Sequence, residues 1–155
     1  MSKMPRIVGI ISIIAGAIFI VLGGITYYVV HRELSDQHIT VSKDAKNFGG
    51  DSVEGPFTAY AQAMAIKGHA EEIGGGKTYA ELPQDDPNRQ TVLTASFLQA
   101  SLFTSVVAFG VAALVMGLGV LFILVGLGFL GVEKQIGKKE PTPTAPAPEP
   151  AVATS

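Results

Sequence analysis

Two uninterrupted apolar blocks constrain this chain more than anything else in it. Ile7 to Val30 is 24 residues without a charge, and Leu102 to Val132 is 31 residues without one. Runs beyond ~18 such residues read as membrane spans rather than as buried helices of a soluble domain. All 11 basic and 13 acidic residues of the 155-residue chain lie outside the two blocks. The charged fraction of 15%, well below the ~25% of soluble domains, is therefore a segregation of charge. A single water-soluble globular domain is excluded. The longest polar stretch is about the size of a marginal small domain, which argues against a large enzyme core.

As a helix the first block is ~36 Å long, enough to cross a ~30 Å hydrocarbon layer with some tilt. Lys3 and Arg6 precede it like the basic region of a signal peptide. The apolar run is too long for one, however, and it exits through Tyr27, Tyr28, Val29 and Val30 without a small-x-small cleavage site. It reads as a retained anchor, with the two tyrosines at headgroup level. The second block is ~46 Å long as a helix, more than one straight span needs. Asp86 is a good N-cap and Pro87 a good first helical residue, and no further proline follows until Pro141. One long helix is expected from about Pro87 to about Val132, its outer part a polar stalk.

The expected architecture is an all-α membrane protein, a two-helix hairpin with a partly helical extracytoplasmic loop. Residues 1–6 form a cytoplasmic N-terminus, 7–30 the first span, 31–101 the loop with its stalk, 102–132 the second span and 133–155 a cytoplasmic tail. Orientation follows the positive-inside bias. Lys3, Arg6, Lys134, Lys138 and Lys139 flank the spans on the tail side, where they can also meet anionic lipid headgroups. The loop is net acidic, with six bases against ten acids. The multi-pass protein is thus expected in the plasma membrane with both termini inside.

Within the loop, His38 to Ser42 alternates like a short strand, and Asn47-Phe-Gly-Gly is a turn. A helix opened by Pro56 follows, with Phe57, Tyr60, Met64 and Ile66 along one side, and Gly74-Gly-Gly ends it. This is too little to bury a self-sufficient core. The loop is expected to pack on the stalk, on the membrane surface or on a partner. The end of the chain, EPTPTAPAPEPAVATS, is a Pro/Ala-rich, polyproline-like tail.

For chemistry the residues are mostly exclusions. The chain has no cysteine, hence no disulfide, thiolate nucleophile or cysteine-held metal. A net charge of −2 does not suggest nucleic acid. Neither block contains Asp, Glu, Lys, Arg or His, and proton relays, ion pathways and intramembrane haem need such residues at membrane depth. His31, His38 and His69, with Glu33, Asp36, Glu71 and Glu72 nearby, match no metal-ligand spacing and read as lone solvated side chains. The IGGGKTY stretch lacks the first glycine of a phosphate loop, with Glu71 in its place. Asp85-Asp86 reads as a turn and cap. No catalytic residue, cofactor, metal or small-molecule substrate is expected.

What the blocks do carry is small residues in register. Gly9, Gly16 and Gly23 are seven apart with Ser12 alongside; Gly110 and Gly117 are seven apart with Ala113 between them; Gly119 and Gly126 form another pair. Seven residues are nearly two helical turns, so each set lines one face and lets another backbone approach closely. Two glycine faces on the second helix suit one contact to its own partner and one to another protein.

By whole segments the chain resembles a family of small two-span actinobacterial membrane proteins. The resemblance rests on EGPFTAYAQAM (54–64), on 74–119 with TYAELP, DDP and TASFLQASLFTSVVAFG, and on the glycine-rich first block. The family is similar to the respiratory supercomplex association factor, an accessory subunit that sits with cytochrome bcc and cytochrome c oxidase. The resemblance implies a non-catalytic subunit of a respiratory supercomplex, with larger integral membrane subunits and membrane lipids as partners. A free-standing envelope scaffold or assembly protein is the alternative. Aromatic ring opening, an activity often attached to such sequences, needs an iron pocket of two histidines and a carboxylate in a globular fold, which the residues do not offer.

Overall fold

The structure, a computed structural model, describes residues 4–137, with side chains to Val132. Among the described residues there are three helices and no strand: α1 (Met4–Asp36), α2 (Pro56–Ile73) and α3 (Arg89–Gly137). α1 and α3 are both long and apolar enough to cross a membrane. The proline-rich tail lies outside the described residues.

α1 and α3 lie side by side and antiparallel, since Gly9 meets Gly126, Gly16 meets Gly119 and Gly23 meets Ala112. Both helices overrun the apolar blocks. α1 continues through the polar HRELSD to Asp36, because nothing in that stretch breaks a helix. α3 begins at Arg89, two residues after the expected start. The reason is local: Asp86 Oδ1 accepts the Asn88 N–H at 2.8 Å and Arg89 N–H bonds Asp86 O at 3.1 Å. Residues 86–89 are therefore a tight turn, and the first α-helical bond runs from Val92 N–H to Asn88 O at 3.0 Å. α3 also runs five residues past Val132, as Gly128 and Gly131 do not stop it.

α2 packs antiparallel on the outer part of α3. Tyr60 stands edge-on to Phe103 with ring centroids 5.8 Å apart, and Asn88 Nδ2 donates to Ile73 O at 3.1 Å. Pro56 opens the helix, and Thr58 Oγ1 accepts the Gly55 N–H at 3.2 Å. It closes in a Schellman turn: Gly76 N–H reaches Glu71 O and Gly75 N–H reaches Glu72 O. Gly75 has φ +62° and Gly76 φ +81°, left-handed values that glycine adopts without steric cost.

Between α1 and α2 the chain folds back on itself as a minimal hairpin. Thr40 and Ser52 form an isolated antiparallel bridge, flanked by Val41 N–H to Asp51 O and Val53 N–H to Ile39 O, each 2.8 Å. Alternation points Val41 and Val53 inward, where each is 1% exposed. They join Leu34, Ala59, Ala63, Leu102 and Phe109 in one buried cluster. The middle of the chain thus packs on the stalk, and α3 supplies Leu102 and Phe109 to its core.

The packing face of α2 differs from its most apolar side. Phe57, Tyr60 and Met64 are 74%, 50% and 40% exposed, whereas Ala59 and Ala63 are fully buried. Only Ile66 of the expected stripe packs toward the cluster. Small side chains win this contact because they let the α2 and α3 axes come close over a short helix.

Candidate functional site

The glycine register organises the contact between α1 and α3. A methyl built on Gly16 would lie 2.5 Å from Gly119 O, and one on Gly119 would lie 2.6 Å from Gly16 O. At the next pair, a methyl on Gly9 would be 2.9 Å from Gly126 O and one on Gly126 would be 2.6 Å from Gly9 O. At Gly23 it would meet Ala112 O at 2.8 Å and Met116 Cγ at 2.6 Å. Comfortable carbon contacts are ~3.5–4.0 Å. The helices therefore approach more closely than any side chain allows, at three levels seven residues apart. These levels form one seam, with one small residue per heptad on each helix.

Around that seam Phe19 stands edge-on to Phe122 with centroids 5.7 Å apart, and Tyr27 to Phe109 at 4.8 Å. Ser12 is half-buried beside it. Ala112, not singled out from the sequence, completes the third level; continuing the spacing of 126 and 119 by seven would have found it.

Gly110 and Gly117 do not join the seam. Built methyls there meet nothing within 4 Å, and both glycines are exposed, as is Ala113 between them. The two glycine faces of α3 thus point in different directions, one onto α1 and one away from the chain. Arg6 is exposed near the start of α1. Lys3, Lys138 and Lys139 lie outside the described residues, and Lys134 is described by backbone alone.

The middle segment carries the polar interactions. His69 Nε2 meets Asp44 Oδ2 at 2.6 Å. That bond holds the Asp44 carboxyl below its usual range and raises the His69 imidazole above its own. His31 Nδ1 donates to Glu54 O at 2.6 Å, and His38 Nδ1 to Asp36 O at 2.8 Å. His69 and His31 are therefore partly exposed, as expected of solvated side chains, but not lone: each ties two segments together, while His38 bonds only the carbonyl two residues before it. Sequence separations of 25 and 23 residues hid the first two pairs. The buried Gln62 accepts the Ser42 N–H at 2.8 Å, pinning the hairpin to α2. Arg89 caps the connector by donating to Tyr79 O at 3.3 Å and to Leu82 O, with its guanidinium 4.2 Å over the Tyr79 ring. Bonds from the Thr78 N–H and hydroxyl lower the Glu81 carboxyl.

Among the described residues no three His, Asp or Glu side chains come together as a metal-binding group. A concavity of about 710 Å³ lies between the 44–48 turn and α2. Its walls are Phe48, Phe57, Tyr60 and Met64, with Asp44, Lys67 and His69 at the rim. Asp85 and Asp86 sit in the turn before α3, away from this groove. No protein-family model, curated protein or solved structure matches the chain.

Proposed function

We propose that this chain is a non-catalytic accessory subunit of a larger membrane complex, held there by helix packing. The observation that carries the reading is the pair of glycine faces on α3. One face is consumed by α1, while Gly110, Ala113 and Gly117 form an open surface shaped for a second backbone. Apolar side chains gain little by leaving lipid, so close backbone approach is what holds membrane helices together. From Gln90 to Val132 and from Ile7 to Val30 there is no Asp, Glu, Lys, Arg or His, which leaves contact rather than proton or ion movement as the work of the spans.

In this reading the chain is a two-span hairpin of the plasma membrane. Both termini are cytoplasmic, the segment from His31 to Ser101 lies over the outer face, and Lys3, Arg6, Lys134, Lys138 and Lys139 meet anionic headgroups. The resemblance noted above names the complex: an actinobacterial respiratory supercomplex of cytochrome bcc with cytochrome c oxidase.

Gentle solubilisation of the tagged chain from its native membrane tests this directly. Cytochromes recovered in stoichiometric amount support the respiratory subunit. Their absence favours a free-standing envelope scaffold, and iron-dependent ring cleavage by the purified chain overturns both. Gly117→Leu should reduce the co-purifying subunits while leaving the α1–α3 pair assembled.

A further inference from the structure

The helix register gives each residue a height along the α1–α3 pair, and those heights place two exposed phenylalanines at one level. Arg6 and Tyr27 are 21 residues apart on α1, or about 31 Å. That distance is the thickness of a hydrocarbon layer, ~30 Å. Between them the outward side of α1 is Ile7, Ile11, Ile14, Ile18, Val21 and Ile25, each at least half exposed. Tyr27, against Phe109, therefore marks the outer boundary of the apolar band.

The parts of the chain that come down to this boundary are the hairpin turn and the start of α2. Phe48, Phe57 and Tyr27 line one concavity. The His31–Glu54 bond fixes the approach to α2 four residues beyond Tyr27, about 6 Å above it. The headgroup zone on each side of a bilayer is ~5–8 Å deep, so both phenylalanines fall inside it.

Their conformations are otherwise unexplained. Phe57, the second residue of α2, is 74% exposed, and Phe48 is 47% exposed. Phe48 also sits at φ +60°, a left-handed backbone that is costly for a bulky residue. Among the described residues, Phe57 is left mostly uncovered and Phe48 about half so. The turn holds this shape through the Asp51 N–H to Phe48 O and Gly50 N–H to Val41 O bonds, both 2.9 Å. Those bonds hold the Phe48 ring on the surface beside Phe57.

We propose that Phe48 and Phe57 dip into the headgroup region of the outer leaflet, so that the middle segment rests on the bilayer as well as on α3. This rests on the reading of α1 and α3 as membrane spans. It adds two apolar rings at the level of Tyr27 and Tyr28, where the amphipathic tyrosine rings prefer the membrane interface and phenylalanine can bury its ring at the headgroup boundary. Asp51 and Glu54 line the same concavity, so the contact is with the neutral interface and draws nothing from anionic lipid.

The chain contains no tryptophan, which allows a single-probe test on the full-length protein. Phe57→Trp, Phe48→Trp, Ile18→Trp and Phe97→Trp are each reconstituted into phosphatidylcholine vesicles, with bromine placed on the upper acyl chain or near its end. Phe97 is exposed and lies 12 residues above Phe109 on α3, about 18 Å beyond the boundary. Phe57→Trp and Phe48→Trp should lose emission to the shallow bromines and little to the deep ones. Ile18→Trp should lose it to the deep bromines, and Phe97→Trp to neither. Quenching at Ile18 without quenching at Phe57 or Phe48 overturns the proposal and leaves the spans standing. No quenching at Ile18 overturns the span reading, and this proposal with it.

Discussion

Between Gly9 and Gly23, α1 meets α3 backbone to backbone; from Tyr27 onward the same two helices are held by side chains, Tyr27 and Leu34 on one and Leu102 and Phe109 on the other. The glycine end is surrounded by exposed Ile, Val and Leu and buries almost no side chain at its seam. The cluster end gathers Val41 and Val53 from the hairpin and Ala59 and Ala63 from α2. Each solution fits a different solvent. Where water surrounds the protein, burying apolar side chains drives packing. Where lipid surrounds it, that drive vanishes and only dispersion at close range and backbone fit remain. If α1 and α3 span a membrane as proposed, the change of contact type along the pair, near Tyr27, is where the boundary between the two solvents would fall.

The comparison breaks most readily at its junction. Phe109 is 1% exposed and touches both ends, packing in the cluster and against Tyr27. Phe109→Ala should cost about 3–5 kcal/mol, the range for emptying a buried Phe site. Unfolding in detergent micelles measures it. A loss below about 1 kcal/mol would mean that the cluster collapses around the hole and is not tightly packed.

At the glycine end the expected sensitivity is of the opposite kind, to addition instead of removal. Gly16→Ala places a methyl 2.5 Å from Gly119 O and 2.8 Å from Ile123 Cγ1, and backbone cannot swing aside as a side chain can. Overpacking of this sort costs about 1–3 kcal/mol. A spin-label distance between α1 and α3 should widen at that level while α2 stays docked on the stalk. An unchanged distance would show that the pair is looser than the seam implies.

Two neighbouring positions on α3 sharpen the point. Gly119→Ala meets Gly16 O at 2.6 Å, whereas Gly117→Ala meets nothing within 4 Å. The first should destabilise the pair, and the second should be neutral or stabilising by about 0.5–1 kcal/mol through helix propensity. Opposite signs for one substitution two residues apart would be read by the same unfolding experiment. Equal effects would show that the two glycine faces do not differ.

Much of the glycine end was legible in the sequence because a spacing of seven is a local signal: Gly9, Gly16 and Gly23 announce a face without knowledge of its partner. Which of the two glycine faces of α3 meets α1 was not legible, since Gly110–Gly117 and Gly119–Gly126 have equal spacing. The cluster end was harder. Leu102 to Phe109 has the hydropathy of a span, and apolar side chains covered by protein look the same in sequence as those covered by lipid. The excess length of the second block over a ~30 Å layer was the one hint that its first turns serve another purpose. α2 misleads for a related reason: its bulky residues mark the apolar side, yet Ala59 and Ala63 make the close contact. The His69–Asp44 and His31–Glu54 ties join residues distant in sequence, for which no local pattern exists.

The smallest effect lies at the water-facing surface, where pH should act and the glycine end should not respond. The Asp44 bond raises His69 and lowers Asp44. A raised histidine contributes fully below its ordinary value of ~6.5 and loses that contribution as pH rises through the raised one. A lowered carboxyl contributes fully above its ordinary value of ~3.9 and loses it as pH falls through the lowered one. The tie of the 44–48 turn to α2 is therefore complete between about pH 4 and 6.5, and weakens on either side. Both groups are largely exposed, so water screens the pair and global unfolding should barely register it. The imidazole signals of His69 in an NMR titration should report a raised pKa that returns toward ~6.5 in Asp44→Asn. A His69 titration unchanged by that substitution would remove the tie between turn and helix, and would leave Gln62 and the Ser42 N–H to hold the hairpin in place.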